Sequence, residues 1–236
     1  MIDDVIDSVE PESPAVRRLW LLILTCLVAV LALACSNPSG AKDPAAALRE
    51  SAGRGDTPAV RALLEQGAPV EARDGQGATA LVRAAYGNHL DVAALLVQAG
   101  ANVDLADDSR QSAYLIATSE VGDDLRLLEL TLANGARVND KDSYDGTGLI
   151  RAAERGYPRI VRRLLEAGID RDHVNRLGWT ALLEAVVLGD GGPAHVATVR
   201  ELVRGGVDVE VPDGDGVTAL QHARERGFRA IVRALD

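Results

Sequence analysis

The sequence predicts an all-α solenoid of stacked helix–turn–helix units joined by short hairpin-like loops. The first observation behind this prediction is a three-residue motif that opens each unit, at Thr79, Ser112, Thr147, Thr180 and Thr218. The second is a glycine that closes each unit, at Gly67, Gly100, Gly135, Gly168 and Gly206. Both markers recur at spacings of 33, 35, 33 and 38 residues, so they belong to one repeating unit whose underlying period is about 33 residues.

Each unit contains two apolar stripes with helical spacing. In the second unit, Leu81 opens the first stripe, and the second stripe begins at Val92 after a break at 87–88. Gly100 ends the second stripe, where a left-handed cap is expected, and Asn88 stands where sister units have glycine, because asparagine also tolerates positive φ. A unit this short cannot bury its apolar face alone, so the units must stack.

Two units are longer than the others between their opening and closing markers. This distance is 21 residues in the second and fourth units, 23 in the third and 26 in the fifth. The third unit therefore contains two inserted residues and the fifth contains five.

These features resemble the ankyrin repeat. The matching stretches include residues 77–81, 95–103 and 160–168, and the resemblance covers residues 44–236 as about six repeats of a bacterial branch. It implies a binding scaffold whose protein partners contact the hairpin tips and the inner helices. No unit has the Thr-Pro-Leu-His motif of the family, so we expect the threonine–histidine hydrogen bonds between repeats to be missing and the coupling between repeats to be weaker. Threonine can still cap the first helix of each unit.

The N-terminal segment is interpreted as a signal for export. Residues 1–35 combine an acidic extension, Arg17-Arg18, an apolar run over 19–34 and Cys35, and residues 36–43 form a polar linker. This pattern predicts a bacterial lipoprotein signal with lipidation of Cys35, or alternatively an uncleaved membrane anchor. Both alternatives place residues 44–236 on the extracytoplasmic side of a bacterial membrane, in the periplasm or at the cell surface, because the two arginines should stay inside.

The residues indicate no catalytic or metal chemistry. The net charge of −10 argues against nucleic acid, and Cys26 and Cys35 are the only cysteines. The four histidines fall in different units and are interpreted as exposed or loop residues, at His89, His173, His195 and His222. An acidic or amide residue stands five positions before each opening marker and is interpreted as a turn residue rather than a calcium ligand, at Asp74, Asp107, Asp142, Asn175 and Asp213.

We therefore expect a monomeric protein-binding scaffold with no cofactor and no enzymatic activity. Two alternatives remain at this point, an intracellular ankyrin effector and a small-ligand or enzyme-like protein. The apolar run at 19–34 argues against the first, and the lack of clustered titratable residues argues against the second.

The fifth unit contains the predicted partner-binding residues. Its tip and inner-helix positions are apolar where sister units are mostly polar, charged or glycine, which points to Leu177, Trp179, Val187 and Leu188. Arg176 and Tyr144 adjoin them, and Tyr86 occupies the matching inner-helix position of the second unit. Tryptophan, tyrosine and arginine are enriched in interface hot spots. The sequence leaves open whether this patch contacts a partner through an exposed Trp179 indole or is covered by the insertion at residues 189–194.

Overall fold

The computed structural model describes residues 43–236, which form twelve helices in six stacked pairs. The N-terminal extension, the apolar run, Cys35 and nearly all of the linker lie outside the described residues. The pairs are α1 Pro44–Arg54 and α2 Thr57–Glu65, α3 Ala80–Tyr86 and α4 Leu90–Gln98, α5 Ala113–Ser119 and α6 Leu125–Ala133, α7 Gly148–Glu154 and α8 Pro158–Glu166, α9 Ala181–Val187 and α10 Pro193–Arg204, α11 Ala219–Glu225 and α12 Arg229–Leu235.

The predicted all-α solenoid is confirmed. The first helix of each pair packs on the first helices of its neighbours, and the second helices form a parallel outer row. Within residues 43–236 there is no strand, and one isolated bridge joins Lys141 to Thr147. No helix in this part of the chain is both long and apolar enough to cross a lipid bilayer.

Hydroxyl caps begin most of the inner helices, as predicted. The hydroxyl oxygens of Thr79, Ser112 and Thr180 accept the backbone N–H three residues later at 3.3 Å, and Thr218 does so at 3.4 Å. Thr147 is the exception, because its buried hydroxyl has no hydrogen-bond partner among the described residues. The hydroxyl group therefore caps the inner helix in four of the five units that carry the motif.

At the boundary between repeats three and four, Tyr114 packs against Gly148. Tyr114 is fully buried and donates its hydroxyl to the carbonyl oxygen of Val138 at 2.7 Å. Where the sister helices begin with alanine, α7 begins with Gly148, and a Cβ there would lie 3.0 Å from the Tyr114 hydroxyl and 2.9 Å from Thr118 Cγ2. The missing methyl group at Gly148 makes room for the aromatic ring of the preceding repeat.

A ladder of hydrogen bonds couples successive repeats along their loops. In four repeats a side-chain oxygen four residues after the closing glycine accepts a backbone N–H from the next repeat. The pairs are Glu71 with Asn102 at 2.7 Å, Asp104 with Arg137 at 3.0 Å, Asn139 with Asp170 at 2.8 Å and Asp172 with Asp208 at 2.7 Å. These bonds link the units although the Thr-Pro-Leu-His motif is absent.

The two insertions lie where the marker spacing predicts them. The connection between inner and outer helices spans residues 120–124 in the third repeat and 188–192 in the fifth, and α10 has 12 residues whereas α8 has 9. In the third repeat, Asp123 accepts the backbone N–H groups of Arg159 and Ile160 at 3.0 Å each. This insertion thereby caps the N-terminus of α8 in the next repeat, which has no side-chain cap of its own.

Three of the four histidines contact the preceding repeat. The interpretation as exposed or loop residues holds for His89 and His173, which lie in loops, and is wrong for His195 and His222, which lie partly buried in α10 and α11. His89 contacts the carbonyl oxygen of Gly53 at 3.2 Å, His173 that of Asp145 at 2.7 Å, and His195 that of Glu154 at 3.1 Å. Each of these imidazoles is partly buried against the preceding repeat. They have a structural role, because each one satisfies a backbone carbonyl at a repeat junction.

Candidate protein-binding surface

The hairpin tips are shaped by the residue five positions before each opening marker. Asp142 Oδ1 accepts the N–H groups of Tyr144 at 2.8 Å and Gly146 at 2.9 Å, and Asn175 Oδ1 accepts those of Leu177 at 2.9 Å and Trp179 at 3.1 Å. Asp74, Asp107 and Asp213 make the same pair of bonds in their own repeats. The interpretation of these residues as turn formers is confirmed.

The second polar atom of this tip residue connects the tip to the inner helix. In three repeats it is a carboxylate oxygen that contacts a basic residue nine positions later, and the pairs are Asp74 with Arg83, Asp142 with Arg151 and Asp213 with His222. In the fifth repeat, the amide nitrogen of Asn175 instead donates to Glu184 Oε1 at 2.6 Å. The inner helix of this repeat therefore presents an acid where three sister repeats present a base.

Glu184 is buried and only half satisfied. Only 4% of the surface of Glu184 is exposed, and its second carboxylate oxygen, Oε2, has no hydrogen-bond partner among the described residues. Burial raises the pKa of Glu184 to about 7, and the nearby carboxylate of Glu154 adds to the rise, whereas the hydrogen bond from Asn175 opposes it. Glu184 thus titrates near neutral pH.

A cleft of about 190 Å³ lies above Glu184, between the tips and inner helices of repeats four and five. Three apolar side chains in its lining are largely exposed, and they are Tyr144 at 62%, Leu177 at 54% and Leu188 at 51%. We call these three residues the apolar rim. The polar part of the cleft lining includes Asp142, Arg151, Glu154 and Glu184. The volume falls below the roughly 300–1,000 Å³ of small-molecule pockets and suits one inserted side chain.

The structure brings three of the predicted binding residues together, because Tyr144, Leu177 and Leu188 line the same cleft. Arg176 is exposed beside it, but its backbone N–H donates to the Tyr144 carbonyl at 3.1 Å and its guanidinium to the Ser143 carbonyl at 2.8 Å. Arg176 therefore holds two neighbouring tips together. Tyr86 lies elsewhere, in the second repeat, and donates its hydroxyl to Asp107 Oδ2 at 3.2 Å.

Trp179 and Val187 do not form the exposed patch that the sequence predicts. Both side chains are partly buried and pack against the hydrophobic core, and neither lines the cleft. Of the two alternatives for Trp179, the structure favours packing, because the ring is partly buried against the hydrophobic core.

The insertion of the fifth repeat does not fill the cleft. None of residues 189–194 lines it, and Gly191 approaches the ring of Phe228 in the sixth repeat. Asp190 contacts His195 at 2.8 Å within the insertion itself. The alternative that residues 189–194 cover the apolar rim is therefore wrong for the rim, which stays open.

Sequence reasoning missed Glu184. The comparison between repeats contained a signal for Glu184, because three sister positions hold Arg83, Arg151 and His222. The simultaneous change from aspartate to Asn175 at the tip is the matching half of that signal.

The described residues contain no cluster of three or more His, Cys, Asp or Glu side chains arranged to hold a metal ion.

A family model described as ankyrin repeats in three copies matches residues 23–107 and 115–196. The chain belongs to the ankyrin-repeat family. The ankyrin repeat protein YahD of Escherichia coli (strain K12) is 36% identical over 186 residues, which cover 78% of this chain and 92% of YahD.

Solved ankyrin structures resemble this domain over most of its length. An ankyrin repeat domain from Acinetobacter baumannii AYE superposes with a TM-score of 0.75 at 41% identity, covering 80% of this chain and 95% of that chain. A chain in the complex of the Bdellovibrio bacteriovorus predatory endopeptidase Bd0816 with the immunity protein Bd3460 superposes with a TM-score of 0.69 at 27% identity, covering 80% and 96%. The first of these and YahD are named for their repeats and not for a reaction.

Proposed function

We propose that this ankyrin-repeat protein is a non-enzymatic scaffold that binds another protein through the cleft between repeats four and five. The observation that carries the proposal is the apolar rim, since Tyr144, Leu177 and Leu188 expose more than half of their surface around one concavity. Exposed apolar side chains gathered at one place are a common feature of protein interaction sites. The family and its structural relative in a protein complex agree with a binding role.

The test compares partner capture by the full chain and by two variants in the native host. Leu177→Ala with Leu188→Ala removes most of the apolar rim, and Val174→Ala is the matched control. Val174 is also an exposed aliphatic side chain of the fifth repeat, at 41%, but it lies outside the cleft.

Cross-linking and quantitative mass spectrometry should recover a protein with the wild type and Val174→Ala that the double variant loses by about tenfold or more. Equal recovery by all three chains would refute the docking surface.

The proposal includes export and attachment to the membrane. Its support is the sequence pattern of Arg17-Arg18, the apolar run and Cys35, and it places the repeats on the extracytoplasmic side. Metabolic labelling with a palmitate analogue should tag the wild type and Cys26→Ala but not Cys35→Ala. Label that persists in Cys35→Ala would contradict lipidation, and a protease that reaches the repeats only after lysis of the whole cell envelope would contradict export.

A further inference from the structure

We propose that the cleft receives the cationic end of a lysine or arginine side chain from the partner protein, and that Glu184 is its counter-ion. This inference rests on the proposed function and adds the chemistry of the contact. An aliphatic stem would pack against the apolar rim, as long basic side chains do when their charged ends reach a polar group. The cation would supply the donor that Glu184 Oε2 lacks.

The charges of the cleft favour a cation. Asp142 and Arg151 compensate each other at 3.0 Å, and Arg151 also contacts Glu120 at 3.1 Å, outside the cleft lining. Glu154 and Glu184 remain, and no basic side chain among the described residues forms an ion pair with either of them. With Glu184 ionised, the four charged residues of the lining sum to three negative charges and one positive charge, which leaves two negative charges.

A cationic occupant would compensate the buried Glu184 carboxylate. A buried acceptor without a partner destabilises the fold, whereas a cation that enters the cleft would supply the missing donor and restore the acid–base pairing of the sister repeats. One analogue within the chain is Asp213 with His222 at 2.7 Å, where one repeat supplies both members of the pair. In the fifth repeat the basic member would come from the partner.

The groups around Glu184 set the conditions for this contact. Asn175 approaches it from the tip, Asp142, Arg151 and Glu154 from repeat four, and these act on its ionisation. Directly after α11, which packs on the other side of α9, Arg226 donates to the carbonyl oxygens of Val186 and Val187. His222 on the same helix contacts Asp213. A cation in the cleft therefore competes with no basic side chain of the sixth repeat for Glu184.

The probes are three small molecules with one shared backbone, N-acetyl-lysine methylamide, its norleucine analogue and its glutamine analogue. They are titrated into the full chain in detergent micelles, with carbon-13 labels on the leucine methyl groups and the glutamate carboxyl groups. The lysine probe should shift the Leu177, Leu188 and Glu184 signals with a Kd on the order of millimolar at pH 8.

At pH 6 the affinity of the lysine probe should fall by about tenfold, because a group with a pKa near 7 is only about one tenth ionised there. The glutamine and norleucine probes should bind at least about tenfold more weakly than lysine at pH 8. Glu184→Gln should remove lysine binding, while Glu225→Gln should not. Glu225 is an exposed acid at the end of α11 and makes the same change in net charge outside the cleft.

Other results would overturn the inference. Equal binding of norleucine would show a purely apolar contact, equal binding of glutamine would show recognition of a neutral amide, and binding that survives Glu184→Gln would show only attraction to an acidic protein. No binding of any probe would show that the cleft takes no side chain. In that case the capture experiment with Leu177→Ala and Leu188→Ala still decides the docking surface, because that contact does not depend on the charge of Glu184.

Discussion

Glu184→Gln should make the folded domain more stable at neutral and alkaline pH. The substitution keeps the shape of the side chain and the oxygen that accepts from Asn175 Nδ2 at 2.6 Å. It replaces Oε2 by an amide nitrogen and removes the ability to ionise. In the wild type, burial raises the pKa of Glu184 from its ordinary 4.5 to about 7, so above pH 7 the folded domain holds a buried carboxylate with one unpartnered oxygen.

The sign of the pH dependence follows from proton binding. Between pH 4.5 and 7 the folded state holds the Glu184 proton more tightly than the unfolded state, so this contribution to stability is complete below pH 4.5 and is lost as pH rises to 7. A shift of about 2.5 pKa units corresponds to about 3 kcal/mol at 1.36 kcal/mol per unit. The free energy of unfolding of Glu184→Gln minus that of the wild type should therefore grow from near zero at pH 4.5 to about 3 kcal/mol at pH 8.

Urea titrations followed by circular dichroism at pH 5, 6, 7 and 8 measure this difference directly. Subtracting the two chains cancels the titration of every other acid, including Asp213, whose pKa is held low by hydrogen bonds from the Val217 backbone and from His222. Glu225→Gln serves as the control and should follow the wild type at every pH. A difference that stays constant with pH, or one that shrinks as pH rises, would refute the assignment of Glu184 as a buried, unpaired acid.

Three further substitutions test the packing. Gly148→Ala should lower the free energy of unfolding by about 1–3 kcal/mol because the new Cβ meets the Tyr114 hydroxyl, and the loss should be smaller than additive when combined with Tyr114→Leu. Strict additivity in urea titrations would exclude the contact. Leu164→Ala, at a fully buried site of α8, should cost about 2–5 kcal/mol, and a negligible change would remove it from the core. Trp179→Ala should cost about 1–3 kcal/mol in thermal unfolding, since the ring packs against the core, and unchanged stability would show that the ring is dispensable.

The periodic part of the fold could be predicted from the sequence because each repeat contains the same local sequence pattern. Asn88 adopts φ of 50°, as its place in a series of glycines required, and each closing glycine such as Gly100 has positive φ. The excess residues of the third and fifth repeats became longer connections and a longer α10. These features depend on backbone conformation and helical period, which neighbouring residues in the chain determine.

The side on which a deviant residue lies could not be predicted in the same way. Trp179 and Leu177 both differ from their counterparts in sister repeats, and they are two positions apart in one tip. The structure packs Trp179 against the core and exposes Leu177 to the cleft. Comparison between repeats shows that a residue is unusual, but it does not show whether its side chain packs on the core or faces the cleft.

Glu184 shows how an exchange within a repeat can separate stability from function. Aspartate pairs with arginine or histidine in three repeats, whereas Asn175 with Glu184 leaves one carboxylate oxygen unpartnered. A domain selected for stability alone would do better with glutamine, and such a local cost is expected where a surface serves a partner. The two measurements on Glu184→Gln therefore belong together. A variant that is more stable above pH 7 and no longer binds the lysine probe would show that the unpartnered oxygen is a recognition site. A variant that is more stable and binds the probe as before would show that Glu184 is a destabilising residue of α9 with no role in binding.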